Sequence, residues 1–486
     1  MPSRRTYARI SLGLGLGILL VALTALRSPD PVSAGERALA AATAAVANAP
    51  PAVLTTGPLR AGWARRCITP DYPVGLFGYG QRRGALSTGV ADDLFVKALL
   101  LDNGSARVLI FTADLLLMPD ALTDAVRREL RDLCAVPDEA GLFSATHTHG
   151  APSPWEAWAP GLLAGGRYDE PYGQALRRAC VEAAREALAH LAPASIAAGT
   201  LSAAAVAANR VRPDNPVDST LRFLLLQRAD GERCILANVP AHGTVLSGRN
   251  RRVSADWAGW LQRHLERTAG TFAMAQAGAV GSVRPVTPEP GAADVQDVLD
   301  EARRHGLAAI TAEATPADWH DFARACALGR AVARQIESSV ADLAPAPQTT
   351  LGCGRLAWDL PPARIYMLSP HPLPPWLAGA LGIDSHTAFQ TLRLGDVILA
   401  GIGGELSGEL LLPLATAART RGIELWVSSF SGDYKGYISP DAYYLGGPGG
   451  KGGYETRDMA WFGPRAGACF STIIAGQVAH FAPGPR

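Results

Sequence analysis

The sequence has no excess of charge of either sign. Its 486 residues carry 45 Lys and Arg against 44 Asp and Glu, a formal net charge of +1. A phosphate-binding surface normally shows as a basic excess, so this balance argues against nucleic acid as the main partner. Charged residues make up only 18% and hydrophobic residues 48%, which argues against disorder over most of the length.

The chain also lacks clustered cysteines and internal repeats. Its seven cysteines are scattered singly, with no CxxC pair and no Cys/His cluster, which argues against a thiolate zinc site. The odd number excludes complete internal pairing, and one disulfide remains open without a favoured pair. The 51 Gly and 36 Pro without a strict period indicate turns and functional loops rather than a fibre or solenoid.

The N-terminus has the pattern of an export signal. Arg4, Arg5 and Arg9 precede an apolar run over residues 10–26 that ends among small residues. This pattern predicts export, to the periplasm or outside the cell, with residues 1–28 as a cleaved signal peptide or an uncleaved anchor in the inner membrane. Residues 29–58 are rich in Ala, Pro, Ser and Thr without a periodic apolar face, and we predict a linker there.

Beyond Gly62, strand-like and helix-like segments alternate without a convincing domain boundary. Apolar runs typical of buried strands lie at 107–112, 141–145, 221–226, 234–239, 397–402 and 424–428. Helical spacing lies at 121–133, 172–191, 317–343 and 406–419. The alternation predicts an α/β fold, a large single domain over residues 59–486 in which helices flank mixed β-sheets.

Several of these apolar runs end in side chains that suit catalysis or metal binding, namely His147, His149, His242, Glu405, Asp433, Tyr434 and Tyr437. An extended backbone would point His147 and His149 to one face, as two metal ligands, as one ligand and one proton-transfer group, or as two hydrogen-bonded loop residues. Glu405 follows the apolar run VILAGIGG, where a carboxylate needs a cation or hydrogen-bonding partners. Two histidines, one carboxylate and an oxygen donor match a catalytic zinc site with a position left for water.

The order of motifs along residues 60–470 resembles the N-terminal catalytic domain of neutral/alkaline non-lysosomal ceramidases. The motifs that carry the resemblance are AGWA at 61–64, ITP at 68–70, GLFGYG at 75–80, TAD at 112–114, SATHTH at 144–149, ANR at 208–210, AHGT at 241–244, VSADWAG at 253–259, GEL at 404–406, GDYKGY at 432–437 and YE at 454–455. Many short motifs in one family's order form a more specific signal than any one of them.

The resemblance implies a zinc-dependent amide hydrolase that cleaves the N-acyl bond of ceramide or a related N-acyl lipid. By motif position, the zinc ligands would be His147, His242, Glu405 and Tyr437. His149 would transfer protons beside the metal, and Arg210 and Tyr454 would hydrogen-bond the substrate and the developing oxyanion. Asp114 and Asp256 look like supporting carboxylates without a catalytic role.

Tryptophans at 155 and 158, and at 376, either line an apolar entrance or contact a membrane surface, or else pack in the core or in loops. The expected partners are therefore an amide or lipid substrate and a membrane surface.

Two departures from the family pattern leave other functions open. The family's Gly-Asp-x-Ser-Pro segment corresponds to residues 275–285 here, where neither the Asp nor the Ser is in place, although Ser282 lies nearby. The chain also ends soon after the tyrosine-rich loop, so we expect no C-terminal β-sandwich domain. The alternatives are an exported zinc hydrolase of another amide or ester, and a non-catalytic, membrane-tethered binding protein of the same fold.

Overall fold

The computed structural model describes residues 30–154, 161, 168–306, 316–365, 374–444, 454–457 and 459–483. The predicted signal or anchor at residues 1–28 lies outside these ranges, as do Trp155 and Trp158. None of the described helices combines the length and the apolar character that crossing a membrane requires.

The helices of the described ranges are α1 (Pro31–Ala47), α2 (Asp120–Cys134), α3 (Glu170–Ala189), α4 (Asp256–Ala269), α5 (Ala292–Arg304), α6 (Pro316–Val340), α7 (Pro375–Ala380), α8 (Gly408–Arg419), α9 (Tyr454–Arg457) and α10 (Ala466–Phe481). The strands are β1 (Leu54–Pro58), β2 (Arg60–Cys67), β3 (Phe95–Asp102), β4 (Arg107–Ala113), β5 (Gly141–Ala145), β6 (Ala192–Ser202), β7 (Ala207–Asn209), β8 (Thr220–Arg228), β9 (Arg233–Val239), β10 (Phe272–Ala277), β11 (Val283–Pro285), β12 (Gln348–Asp359), β13 (His386–Leu394), β14 (Val397–Gly401), β15 (Glu405–Leu406), β16 (Glu424–Ser428) and β17 (Tyr437–Ile438).

Two mixed sheets form the centre of the fold. The larger has eight strands in the order β10-β9-β8-β6-β2-β3-β4-β5, with parallel pairs at β10/β9 and β4/β5. The smaller has five strands in the order β1-β12-β13-β14-β16, with β14 and β16 parallel. The predicted α/β class with mixed sheets and flanking helices is confirmed. All six predicted strands are present, because continuous apolar runs such as β4 and β5 are buried on both faces.

Three hydrophobic clusters hold these layers together. One lies around β2–β5 and α3, a second between the five-stranded sheet and α1, α8 and α10, and a third between β8–β10 and helices α4 and α6. Asn238 at the end of β9 joins the sheets, since its Nδ2 donates to the Val427 carbonyl of β16 at 2.8 Å. Strands β9 and β16 therefore meet at a seam between the two sheets.

Residues 29–58, predicted as a linker, instead contain α1 and β1. Asp30 caps α1 by accepting a hydrogen bond from the Ser33 amide at 2.9 Å, and a proline occupies the first turn. The buried face consists of small residues, Ala34, Gly35, Ala38 and Ala42. Alanine contributes little to an apolar periodicity, so the sequence shows no apolar pattern for this face.

Both new elements pack on the rest of the fold. Helix α1 lies against α10, where a Cβ on Gly476 would come within 2.2 Å of Val46. Strand β1 pairs antiparallel with β12 at the sheet edge, with Leu54 opposite Gly352. All seven cysteines lie in described ranges, where each is free.

Candidate functional site

His147 lies two residues beyond the end of β5. Its φ of +61° is in the left-handed region, and the chain approaches so closely that a Cβ on Gly243 would lie 2.2 Å from the His147 carbonyl oxygen. The imidazole stacks on Phe430 at a centroid distance of 3.7 Å. Its Nδ1 lies 2.7 Å from the Leu116 carbonyl oxygen, which assigns the proton to Nδ1 and the free lone pair to Nε2.

His242 is held in the same way after β9. Its Nδ1 lies 3.2 Å from the Val280 carbonyl oxygen, and its Nε2 lies 2.9 Å from Nε2 of His147. Trp257 Nε1 donates to the His242 carbonyl at 2.9 Å. Asp256 was expected to be a supporting carboxylate. It accepts hydrogen bonds from the backbone amides of Trp257 at 2.6 Å and Leu246 at 3.0 Å, and these bonds hold the loop that follows His242.

Glu405 approaches the two histidines from the segment that follows β14 of the five-stranded sheet. The short parallel pair of β15 and β17 places Glu405 opposite Tyr437. Glu405 Oε1 accepts a hydrogen bond from the Tyr434 hydroxyl at 2.6 Å. Oε2 is buried and accepts no hydrogen bond from the described part of the chain, and it lies 3.9 and 3.7 Å from the Nε2 atoms of His147 and His242.

These donors fit a zinc ion. Each histidine directs Nδ1 to a backbone carbonyl, the usual arrangement of metal-bound imidazoles, and leaves Nε2 with a lone pair. The two lone pairs face each other at 2.9 Å beside an unpaired carboxylate oxygen, a cluster that repels itself without a cation. Tyr437, the fourth predicted ligand, lies next to Glu405, and the resulting set of two N and two O donors suits Zn²⁺.

Burial controls the protonation of the site. It lowers the pKa of His147 to about 3 and holds those of His149 and His242 well below the ordinary value. It raises the pKa of Glu405 to about 7, against the opposing hydrogen bond from Tyr434, and that of Tyr437 well above the ordinary value. The imidazoles are therefore neutral, as metal ligands and proton acceptors must be.

His149 is the third imidazole of this cluster. Its ring centroid lies 4.9 Å from that of His147 and 5.7 Å from that of His242, and the three residues offer nitrogens within 4.8 Å of one another. Neither nitrogen of His149 makes a hydrogen bond of good geometry with the described residues, and Nδ1 lies against the backbone of Gly78. This geometry suits either a third nitrogen ligand or the predicted proton-transfer group.

Arg210 and Tyr454 lie on the other side of Tyr437. Arg210 Nη2 donates to the Tyr437 hydroxyl at 2.9 Å and to the Gly281 carbonyl at 3.2 Å, and Nε lies 3.0 Å from Glu455 Oε1. The half-exposed ring of Tyr454 meets Tyr437 edge-on at 5.7 Å.

All seven predicted site residues line one cavity of about 320 Å³. Its remaining walls are mainly apolar or aromatic and include Phe77, Tyr79, Leu116, Tyr434 and Met459. A larger groove of about 820 Å³ beside β12 contains none of these side chains. Tyr434 also lines the cavity, although the sequence indicates no role for it beyond its position after a strand.

Ser282 is not among the residues that line the cavity. Its hydroxyl donates to Glu409 Oε2 at 2.6 Å and accepts the Gly408 amide at 3.1 Å. Glu409 also accepts hydrogen bonds from Asn209, Ser407 and Tyr443. The segment that departs from the family pattern thus joins the loops that carry Arg210 and Glu405 instead of offering a hydroxyl to the cavity.

Residues 60–284 match the protein family described as neutral/alkaline non-lysosomal ceramidase, N-terminal. The predicted resemblance is confirmed. A curated relative, the neutral ceramidase of Mycobacterium tuberculosis, is 28% identical over 214 residues, which cover 40% of this chain and 34% of the relative. The match thus spans about a third of that relative's length.

Two solved ceramidase structures share the fold. The neutral ceramidase of Pseudomonas aeruginosa superposes with a TM-score of 0.64 at 19% identity, covering 87% of this chain and 74% of that one. A ceramidase complexed with C2 gives a TM-score of 0.62 at 18% identity, covering 87% and 75%. The matched residues 60–284 include four of the predicted site residues, His147, His149, Arg210 and His242. The other three, Glu405, Tyr437 and Tyr454, lie outside that range and reach the same cavity because of the fold.

Proposed function

We propose that this cavity belongs to a zinc-dependent hydrolase that cleaves the N-acyl bond of ceramide or a related N-acyl lipid. The observation that carries the proposal is the buried Glu405 Oε2, which lacks a hydrogen-bond donor among the described residues and lies beside two imidazole Nε2 atoms. His147, His242, Glu405 and Tyr437 would hold the ion. When bound, zinc supplies a water of lowered pKa and polarises a carbonyl group.

The remaining residues act on the proton and on the developing charge. His149 is neutral because burial lowers its pKa, so a ring nitrogen can take the proton of the attacking water and return it to the leaving amine. Arg210 stays cationic at any working pH. It and the Tyr454 hydroxyl would donate hydrogen bonds to the former carbonyl oxygen as its negative charge grows.

The apolar walls support an acyl substrate. Phe77, Leu116 and Met459 line the cavity, so an acyl chain would lose contact with water there. Trp376 exposes 47% of its surface, which supports a contact with a membrane surface. Export through residues 1–28 is a further part of the proposal and is supported by the sequence pattern alone.

Metal analysis combined with hydrolysis of a fluorescent ceramide tests the proposal. We expect wild-type protein to hold zinc and release the fatty acid, and His147→Ala to lose both. His149→Ala should keep its zinc while turnover falls roughly 10²- to 10⁴-fold, the usual effect of losing a general base. His386→Ala, an exposed histidine outside the cavity lining, is the matched control. Wild-type protein without zinc would refute the proposal, and loss of zinc from His149→Ala would make His149 a ligand.

Two other functions remain alternatives, because the Ser282 hydroxyl is hydrogen-bonded to Glu409 and does not line the cavity. Hydrolysis of another amide or an ester in place of ceramide would shift the substrate class. Zinc bound without hydrolysis of any acyl amide or ester would favour a membrane-tethered binding protein of the same fold.

A further inference from the structure

Glu409, in the first turn of α8, carries a carboxylate that accepts four hydrogen bonds. Asn209 Nδ2 donates to its Oε1 at 2.7 Å, and Ser282 Oγ donates to its Oε2 at 2.6 Å. The Tyr443 hydroxyl also donates to Oε1, and the Ser407 hydroxyl to Oε2. All four donors are neutral groups, and they come from four separate segments of the chain. The carboxylate therefore joins these segments at one point.

Asn209 connects Glu409 with the turn that carries Arg210. While its Nδ2 donates to Glu409, its Oδ1 accepts the backbone amides of Val211 and Arg212, each at 2.9 Å. Bonds of this kind, from an asparagine side chain to backbone amides two and three residues further on, fix a turn. The backbone of Arg210 lies inside the turn that Asn209 fixes, so its position depends on where Glu409 holds Asn209.

Ser282 connects the same carboxylate with the other side of Arg210. Its backbone carbonyl accepts the Arg210 amide at 2.8 Å, and the carbonyl of Gly281 accepts Arg210 Nη2 at 3.2 Å. The Ser282 hydroxyl donates to Glu409. Arg210 is thus held at its amide and at its guanidinium by a segment that is itself bound to Glu409.

The place of this guanidinium matters for the chemistry of the cavity. Arg210 lines the cavity, and its Nη2 also donates to the Tyr437 hydroxyl at 2.9 Å. A donor that is already in place when negative charge develops stabilises that charge without reorganisation, and a displacement of about 1 Å can cost as much as 10²-fold in rate. Glu409 is not among the residues that line the cavity, so it can act on a reaction there only through its neighbours.

We propose that Glu409 is a positioning residue, which holds Arg210 at the place where the negative charge of the reaction develops. The kinetic consequence rests on the proposed amide hydrolysis, whereas the position of Arg210 can be measured without any reaction. The role requires a carboxylate, because all four hydrogen bonds are accepted by its two oxygens. A glutamine of the same shape would present an NH₂ group to two of the four donors.

Glu409→Gln tests the proposal on the zinc-loaded protein with a fluorescent ceramide. We expect kcat to fall roughly tenfold while KM and the zinc content stay unchanged, because only stabilisation of the transition state is lost. Glu170→Gln, which changes a glutamate in the first turn of α3 outside the cavity lining, is the matched control and should leave kcat unchanged.

A double-mutant cycle shows whether Glu409 acts through Arg210. In an Arg210→Gln background, Glu409→Gln should lower kcat by less than about twofold, because residues that act as a unit are not additive. A loss as large as in the wild-type background would make Glu409 a merely structural residue and would overturn the proposal.

Asn209→Asp tests the same connection from the other partner. It keeps an oxygen for the amides of residues 211 and 212, but it places a second carboxylate against Glu409, and kcat should fall as in Glu409→Gln. The double variant Asn209→Asp/Glu409→Gln exchanges donor and acceptor, since the glutamine NH₂ can donate to the aspartate. Its kcat should exceed that of either single variant, and a double variant no more active than both would count against the connection.

Crystal structures of wild-type protein and Glu409→Gln separate the position of Arg210 from the chemistry. We expect the guanidinium to leave the Tyr437 hydroxyl in the variant, while His147 and His242 keep their places. If wild-type protein cleaves no ceramide but this displacement is found, amide hydrolysis fails and the positioning by Glu409 stands. An Arg210 side chain in the same place in both proteins overturns the proposal. If Glu409→Gln does not fold, the same comparison with Asn209→Asp decides.

Discussion

Tyr434 determines which oxygen of Glu405 faces the two histidines. Its hydroxyl holds Oε1 at 2.6 Å, so Oε2 is the oxygen left toward the Nε2 atoms. The ring itself is fixed, since it stacks near Phe430 at 6.3 Å and meets Trp461 edge-on at 5.9 Å. Partners of this kind orient ligands and raise metal affinity without touching the ion.

Removing this hydroxyl should weaken zinc binding without abolishing it. We expect Tyr434→Phe to lower zinc affinity about 10- to 100-fold, because Glu405 would then be free to rotate. Competition with a fluorescent chelator measures the affinity without any substrate. Tyr172→Phe is the control, since that buried hydroxyl of α3 has no hydrogen-bond partner among the described residues. Equal affinity in Tyr434→Phe and wild-type protein would contradict the role of Tyr434.

At this scale the sequence indicated the donors but not their partners. The positions of His147, His242 and Glu405 after apolar strands indicated a site, because a buried charged or polar group needs a hydrogen-bonding partner or a counter-ion. Glu405 and Tyr437 lie side by side because β15 pairs with β17. This pairing joins distant segments, so no local sequence pattern predicts it.

Among the helices, α5 ends in a cluster of charges. His305, its C-terminal cap, has Nε2 at 3.6 Å from Glu301 and 3.8 Å from Asp93. Arg263 and Arg304 face the same Glu301 carboxylate at 3.8 and 2.7 Å. The nearby Glu301 carboxylate raises the pKa of His305, with burial opposing it.

This raised pKa makes the contribution of His305 to stability depend on pH. A histidine whose folded pKa exceeds its unfolded value of about 6.5 stabilises fully below that value, and the gain is lost as pH rises through the folded pKa. Urea unfolding of wild-type protein and His305→Gln should therefore differ at pH 5.5 and converge at pH 8.5. His190→Gln, at the end of α3, serves as a comparison from another helix end. A difference that is equal at both pH values would rule out this linkage.

Strongly periodic elements could be predicted from the sequence, and elements built of small residues could not. Helix α2 was expected at 121–133 and runs from Asp120 to Cys134, because its apolar and charged faces are well separated. Helix α1 has an alanine-rich face, and its fit depends on Gly476 across the interface. That complementarity is a tertiary property, invisible in either segment alone.

For the molecule as a whole, α1 is part of the folded domain. Its buried face packs on α10, and Arg465 Nε donates to Glu36 at 2.7 Å. We expect removal of residues 2–48 to lower the Tm by a few degrees or more, because roughly 1 kcal/mol corresponds to about 2–4 °C in a domain of moderate size. Removal of residues 2–29, which stops before α1, should leave the Tm unchanged. Differential scanning calorimetry compares both with the 486-residue chain, and equal Tm values for all three would restore the linker interpretation.

The α/β class and all six predicted strands could be obtained from local patterns, but the sheet order could not. Strand β2 pairs with β3 and also with β6, more than 100 residues further along the chain. Such distant pairings follow from packing of whole layers, and similar apolar strands offer many alternatives.

The seam between the two sheets also sets the order in which the donor set can assemble. The histidines follow strands of the eight-stranded sheet, 95 residues apart, whereas Glu405 follows β14 of the five-stranded sheet. A growing chain that has reached α4 would possess the imidazole pair without its carboxylate. Long-range contacts of this kind form late in folding. The complete donor set for the ion would thus exist only in a molecule that is nearly complete.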